Sequence, residues 1–209
     1  MNAPAAGSKA PRRRVALQPI WTTDGELVGH EYLYRTDAGE PAGVDRWPAR
    51  QQDEATAAVL DVIAHDDRLP RVGSAFVNIT RAFFVDDLAL PVTPGRLVLE
   101  VVESVTADDP VLLGLRRMRA RGFRIAIDDF EALPHQVAML PFADYVKIDC
   151  RALLHSGAEL IAAARRFGAR LVAEHVSTPE LVEACTDAGF DLLQGNALGP
   201  ASTTLPSCA

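Results

Sequence analysis

Phe123-Arg124-Ile125-Ala126-Ile127-Asp128-Asp129-Phe130 is an apolar run that ends abruptly in two adjacent carboxylates. Ile125 and Ile127 alternate with Arg124 and Ala126, the period-two pattern of a strand, and the pattern stops where the aspartates begin. The stretch therefore reads as a buried strand that delivers Asp128 and Asp129 to a surface. Two neighbouring aspartates repel each other unless positive charge lies beside them. A hard divalent cation, which takes carboxylate oxygens, is the usual partner. Taken alone, the same residues also fit a turn whose Asp caps the next helix. What separates the two readings is whether the design recurs.

It recurs on both sides. Upstream, Arg96 to Val102 is a strand that carries Glu100 and is followed by Glu103, and Ser74 to Ile79 is a strand bearing Asn78 near its end. Downstream, Tyr145 to Ile148 carries Lys147 with Asp149 just beyond, Leu171 to Ala173 runs into Glu174, and Phe190 to Leu193 runs into Gln194. Helical patterns separate them. Gln51 to Ala64 has Ala55, Val59, Leu60 and Ile63 on one face. Asp109 reads as a cap ahead of Pro110 for a helix that stops at Gly122, and Pro134 to Leu140 allows a short helix. Ala158 to Phe167 stops at Gly168, and Thr178-Pro179 opens a helix that closes at Gly189. At the start, Val15 to Ile20 and Leu27 to Tyr34 read as a strand pair turning at Asp24-Gly25, with Glu31 in the return strand and Arg35 after it. Pro19 confines the first strand to an edge or an end.

Eight strand candidates alternating with helices imply a mostly parallel sheet whose first strand is antiparallel. A small closed α/β barrel of the TIM-like (β/α) type fits best, with an open doubly wound sheet as the alternative; no glycine-rich turn for a dinucleotide pyrophosphate is present. In such a barrel Asn78, Glu100, Asp128, Lys147, Glu174 and Gln194 all fall at or near the C-terminal ends of strands, the face on which barrel enzymes build their sites.

Bulk properties bound the rest. The 209 residues, 48% of them hydrophobic, suit one domain: a barrel over 15–200 between a polar tail over 1–14 and a short tail over 201–209. A net charge of -7 argues against attraction to nucleic-acid polymers or anionic membranes. No apolar run is long enough to insert in a membrane, and no secretory signal opens the chain. Three cysteines, Cys150, Cys185 and Cys208, fit neither a disulfide framework nor a zinc site, which points to a reducing cytoplasm.

The chain resembles the EAL domain, the phosphodiesterase module for cyclic diguanylate (cyclic-di-GMP). The resemblance rests on E-Y-L at Glu31 to Leu33 with Arg35, V-N-I-T at Val77 to Thr80, L-E-V-V-E at Leu99 to Glu103 and I-D-D-F at Ile127 to Phe130. It continues through V-K-I-D at Val146 to Asp149, A-E-H-V at Ala173 to Val176 and Q-G at Gln194-Gly195. In style it is nearest to EAL domains joined to an HDOD domain. The resemblance implies that Glu31, Asn78, Glu100 and Asp128 hold one Mg²⁺ or Mn²⁺, with Asp128 and Asp129 reaching toward a second. It gives Lys147 and Glu174 the attacking water, Gln194 the support of water at the metal, Arg35 a substrate phosphate, and Glu103 the anchoring of the loop after the aspartates. Two close cations suit in-line displacement at phosphorus. Lys147 beside carboxylates stays protonated, which leaves Glu174 as proton acceptor.

Departures accompany the likeness. Phe130 is followed by E-A-L-P-H where the family has a glycine-rich loop, and His175, Ser177 and Asn196 replace its glycine, glutamate and tyrosine. Two functions therefore stand side by side: hydrolysis of cyclic-di-GMP to linear pGpG, or a non-catalytic module that binds the nucleotide or a regulatory protein partner. A homodimer is a further expectation from the resemblance.

Overall fold

The computed structural model describes residues 15–203, apart from 68, 71–72, 87, 92 and 156. Eight strands close into one barrel in sequence order: β1 (Val15–Thr22), β2 (Leu27–Tyr34), β3 (Ser74–Ile79), β4 (Leu97–Val101), β5 (Arg124–Ile127), β6 (Tyr145–Asp149), β7 (Arg170–Glu174) and β8 (Leu192–Gln194). β2 to β8 run parallel, and β1 is antiparallel to both of its neighbours, β2 and β8. The helices are α1 (Ala49–His65), α2 (Arg81–Val85), α3 (Asp109–Ala120), α4 (Pro134–Met139), α5 (Gly157–Ala164) and α6 (Pro179–Asp187).

The strand pattern reads correctly from the residues, with two local corrections. Closure leaves no edge for Pro19; instead the pairing of β1 with β8 begins at Ile20, one residue past the proline that lacks an N–H. The cap of α3 is Asp108, whose side chain accepts from Val111 N at 3.1 Å, so Asp109 and Pro110 are the first two helical residues. The cap of α6 is Thr178, as its sequence implies. The expected tail over 1–14 and residues 204–209 lie outside the described residues. Ser202 still pairs through its backbone with Leu17.

Two apolar clusters flank the strands. The larger one fills the space between barrel and helices, with Ile125, Ile127, Leu99 and Leu171 pointing out to it. The smaller one plugs the barrel interior: Ile20, Phe76, Val98, Ala126, Tyr145, Val172 and Leu192. Side chains alternate along a strand, so the next inward position lies two residues on. Counting two residues from each plug member toward the C-terminal rim gives Asn78, Glu100, Asp128, Lys147, Glu174 and Gln194, and counting back along the reversed β1 gives Gln18. One apolar layer thus supports one polar layer, and the alternation alone specifies both.

β2 and β3 meet unusually closely where Gly29 faces Ser74. A Cβ on Gly29 would stand 2.1 Å from Ser74 O, so Gly29→Ala must push the strands apart. The expected loss is about 1–3 kcal/mol of stability by thermal or urea denaturation, the cost of overpacking a rigid site; wild-type stability would contradict this packing.

Candidate active site

Lys147 is the centre of the polar layer. Its Nζ lies 2.8 Å from Glu174 Oε1, 2.9 Å from Asp128 Oδ1, 3.0 Å from Glu100 Oε1 and 3.4 Å from Glu31 Oε2. The lysine is 1% exposed and Glu100 wholly buried. Four strands therefore each deliver a carboxylate to one buried ammonium carried by β6. An ion this deep keeps its charge only with partners.

Amides complete the layer. Gln194 Nε2 donates to Glu31 Oε2 at 2.5 Å and to Gln18 Oε1 at 3.2 Å, and Asn78 Nδ2 donates to Glu31 Oε1 at 3.5 Å. Gln194 is held in turn by the backbone: Val176 N donates to Gln194 O, and a Cβ on the next residue, Gly195, would fall 2.1 Å from Val176 O. β8 can therefore close over the loop after β7 only with glycine there. Several buried oxygens still lack a hydrogen-bond donor: Asn78 Oδ1, both Glu100 oxygens and Gln194 Oε1. Glu100 Oε1 is close to the Lys147 ammonium but outside hydrogen-bonding geometry.

The electrostatics follow from burial. Burial raises Glu100 well above the ordinary carboxylate range, and the neighbouring Glu31 and Asp128 add to the rise that Lys147 opposes. Burial likewise pushes Glu174 up to about 8, with Lys147 pulling it down and Asp128 and Glu31 pushing it further up. For Lys147, burial works against the charge, but Asp128, Glu100, Glu174 and Glu31 together outweigh it and hold the ammonium well above its usual range. Glu100 and Glu174 are thus the carboxyls of the cluster that burial biases toward the protonated form.

The oxygens are hard donors, several are unpartnered, and burial makes Glu100 and Glu174 resist ionisation. That chemistry suits a divalent cation. Among the described residues, no three His, Cys, Asp or Glu side chains already stand in ligand geometry around one point, because the carboxylates face Lys147. Glu31, Asn78, Glu100 and Asp128 are the residues that could hold the ion.

The remaining sequence-derived candidates lie around this centre. Asp129 lies at the rim as an exposed residue, in a left-handed backbone conformation (φ 42°); partial desolvation of its carboxyl and then Asp128 raise its pKa, against Lys147, with Glu103 adding to the rise. Glu103 is exposed in the turn after β4. Arg35 donates to Tyr34 O at 2.9 Å and lines a cleft of about 340 Å³ with Tyr34, Ala42, Val44, Thr56 and Asn78. A second cleft, of about 310 Å³, is lined by Gln18, Arg151, Glu174, His175, Gln194 and Asn196. Asp149 caps the turn that follows β6, accepting from Arg151 N at 2.8 Å.

Sequence reasoning missed three features. One is Gln18, which the antiparallel register sets opposite Glu31 and which enters the layer only once the first strand meets the last. The left-handed conformation of His175 (φ 56°), next to Glu174, had no signal in the residue type. The third is the role of Gln136 in the loop after Asp129.

A closed barrel with ionisable side chains gathered at the C-terminal rim has the anatomy of a barrel enzyme. The family model described as EAL domain matches residues 5–201, and the chain belongs to that family. Among curated relatives, the cyclic di-GMP phosphodiesterase CdgJ of Vibrio cholerae is 27% identical over 187 residues, covering 87% of this chain and 42% of the relative. The uncharacterized protein YuxH of Bacillus subtilis is 26% identical over 195 residues, covering 87% and 45%. The chain spans less than half the length of both. Of solved structures, the PaMucR phosphodiesterase in complex with c-di-GMP superposes with a TM-score of 0.74 at 27% identity, over 90% of this chain and 95% of that one. The EAL-domain protein YkuI of Bacillus subtilis, solved with c-di-GMP and calcium, superposes with a TM-score of 0.72 at 21% identity, over 92% and 55%.

Proposed function

We propose that this chain hydrolyses cyclic-di-GMP to linear pGpG in a reaction that depends on Mg²⁺ or Mn²⁺. The observation that carries the proposal is the buried cluster around Lys147, where oxygens of Glu31, Asn78, Glu100 and Asp128 lie at one rim with several lone pairs unused. A divalent cation bound by those four, with Asp129 at the edge, would supply positive charge to a phosphodiester and to the water that attacks it. The protein's own groups do the rest. Glu174, whose raised pKa suits proton transfer near neutrality, accepts the proton of the water. Lys147, kept charged by four carboxylates, fixes Glu174 and neutralises charge as it develops at phosphorus. Gln194, oriented by Gln18, supports the water, and Arg35 grips a phosphate from the first cleft. The polar layer lies between the two clefts, an arrangement suited to a ligand with two nucleoside halves and a phosphodiester between them.

A second function is favoured by a specific observation. Lys147 occupies all four carboxylates, and the loop after Asp129 has no glycine, which also fits a non-catalytic cyclic-di-GMP receptor or interaction module. Incubation of purified protein with cyclic-di-GMP and Mn²⁺, followed by chromatography of the nucleotides, separates the two. Linear pGpG formed over many turnovers is the expected result; none at near-stoichiometric protein across a range of pH leaves only the receptor. Cys150 and Cys185 are buried and form no disulfide with each other, which fits the cytoplasmic setting expected from the sequence. Among the described residues no helix is long and apolar enough to cross a membrane. Self-association as a homodimer remains part of the proposal, and light scattering measures it.

A further inference from the structure

Gln136 is a polar side chain with almost no exposure, 2%, in the first turn of α4. Its Oε1 accepts from Glu131 N at 2.8 Å and from Leu133 N at 3.3 Å, and its Nε2 donates to Asp129 O at 2.8 Å. All three contacts are to main chain, and they span the segment that leaves β5. That segment contains two non-glycine residues in the left-handed region, Asp129 (φ 42°) and Ala132 (φ 60°). Such conformations persist only where surrounding contacts over-determine them. The neighbouring residues are tied as well: Asp128 N donates to Val101 O at 3.2 Å on β4, and Phe130 N donates to Lys147 O at 2.9 Å on β6. Between these anchors, Gln136 holds the carbonyl of Asp129 itself. Leu133 offers no side-chain acceptor to cap α4, so the glutamine serves the helix start and the aspartate turn together.

We propose that Gln136 is a positioning residue that fixes the direction of the Asp129 carboxylate and so sets the affinity of the Asp128–Asp129 edge for a divalent cation. The proposal deepens the function given above and rests on the assignment of Asp129 to metal binding. Without the clamp, two amide N–H groups and one carbonyl lose their partners, and the turn relaxes toward right-handed or extended backbone. Asp129 then points elsewhere while the Lys147 cluster beneath it stays intact.

The test is Mn²⁺ binding to the whole chain, followed by calorimetry and electron paramagnetic resonance, for wild type, Gln136→Met, Gln136→Glu, Asp129→Asn and the Gln136→Met/Asp129→Asn double variant. Methionine keeps the volume and removes every hydrogen bond; glutamate keeps the two acceptor contacts and turns the third into a repulsion. Gln136→Met is expected to weaken Mn²⁺ by about tenfold or more, the loss typical of removing a group that orients a ligand. Gln136→Glu, which keeps the helix start, covers the case in which methionine prevents folding and is expected to weaken Mn²⁺ as well. The double variant is expected to bind no more weakly than Asp129→Asn alone, because both act through one carboxylate. A merely structural residue would lower the melting temperature without this non-additivity. Wild-type affinity in both Gln136 variants, or additive losses in the double variant, overturns the proposal. If the wild type itself takes up no Mn²⁺, the metal function fails separately, and amide hydrogen exchange decides the clamp: faster exchange at Glu131 and Leu133 in Gln136→Met supports it, and unchanged rates overturn it.

Discussion

Lys147→Met should destabilise the metal-free protein by about 3–5 kcal/mol at pH 8, the range for stripping the partner from buried charge, and lower its melting temperature by roughly 6–20 °C. The side chains are similar in length, so the change removes charge more than volume. The loss must depend on pH. Glu174 already sits near 8 in the folded protein, above its ordinary 4.5. A carboxyl raised in the folded state contributes stability that is fully present below its unfolded pKa and is lost as pH rises through the folded value. Wild type should therefore lose stability between about pH 4.5 and 8 through Glu174, with Glu100 acting in the same direction. Without the ammonium that opposes their rise, Glu100 and Glu174 hold protons more tightly, and the gap between variant and wild type should widen with pH. Melting curves at pH 5 and pH 8 measure it. Equal stability at pH 8 would mean that the lysine is not the electrostatic keystone described here.

Glu174→Gln should cut the rate of cyclic-di-GMP hydrolysis by about a hundred- to ten-thousandfold, the usual worth of a positioned general base. Glutamine keeps the size and one acceptor oxygen for Lys147 but takes no proton. Because Glu174 is not among the residues assigned to the ion, Mn²⁺ binding should change little. The direction of the pKa shift gives a second signature. A base must be ionised to act, so the wild-type rate should climb with pH and then level off; a cation bound beside Glu174 favours its charged form, so with Mn²⁺ the limb should lie below the value of about 8 held by the metal-free protein. That limb should be absent from the residual activity of the variant. A variant with near-normal turnover would remove Glu174 from the chemistry, and Asp128 would become the next residue to test.

How far these features are legible before folding depends on which force sets them. Strand positions are, because inward and outward residues alternate and because Thr178-Pro179 and Gly122 punctuate the elements between. Asn78, Glu100, Asp128, Glu174 and Gln194 share that legibility: each interrupts an apolar alternation at a strand end, where water or a ligand must meet it. The hub role of Lys147 is not legible in this way. A lysine inside V-K-I-D looks like any residue near a strand end until the barrel closes and four strands converge on it. Gln18 is hidden for a different reason, since its partner Gln194 lies across the seam that joins the first strand to the last. Gln136 looks like a polar residue of a short helix; its work depends on the direction of a turn five residues earlier, which composition does not encode. The one-residue displacement of the α3 cap is of the ordinary kind, because Asp108 and Asp109 offer equivalent acceptors and packing selects between them.

The reversed first strand has a consequence for where the polypeptide leaves the barrel. Val15 lies beside Tyr34, and Ser202 beside Leu17, at the mouth rather than at the floor. Had β1 run with the other strands, its beginning would have been at the opposite end of the cylinder. As built, the described chain enters the barrel and leaves it on the same side, so the first and last backbone pairings both brace the rim that carries the polar layer.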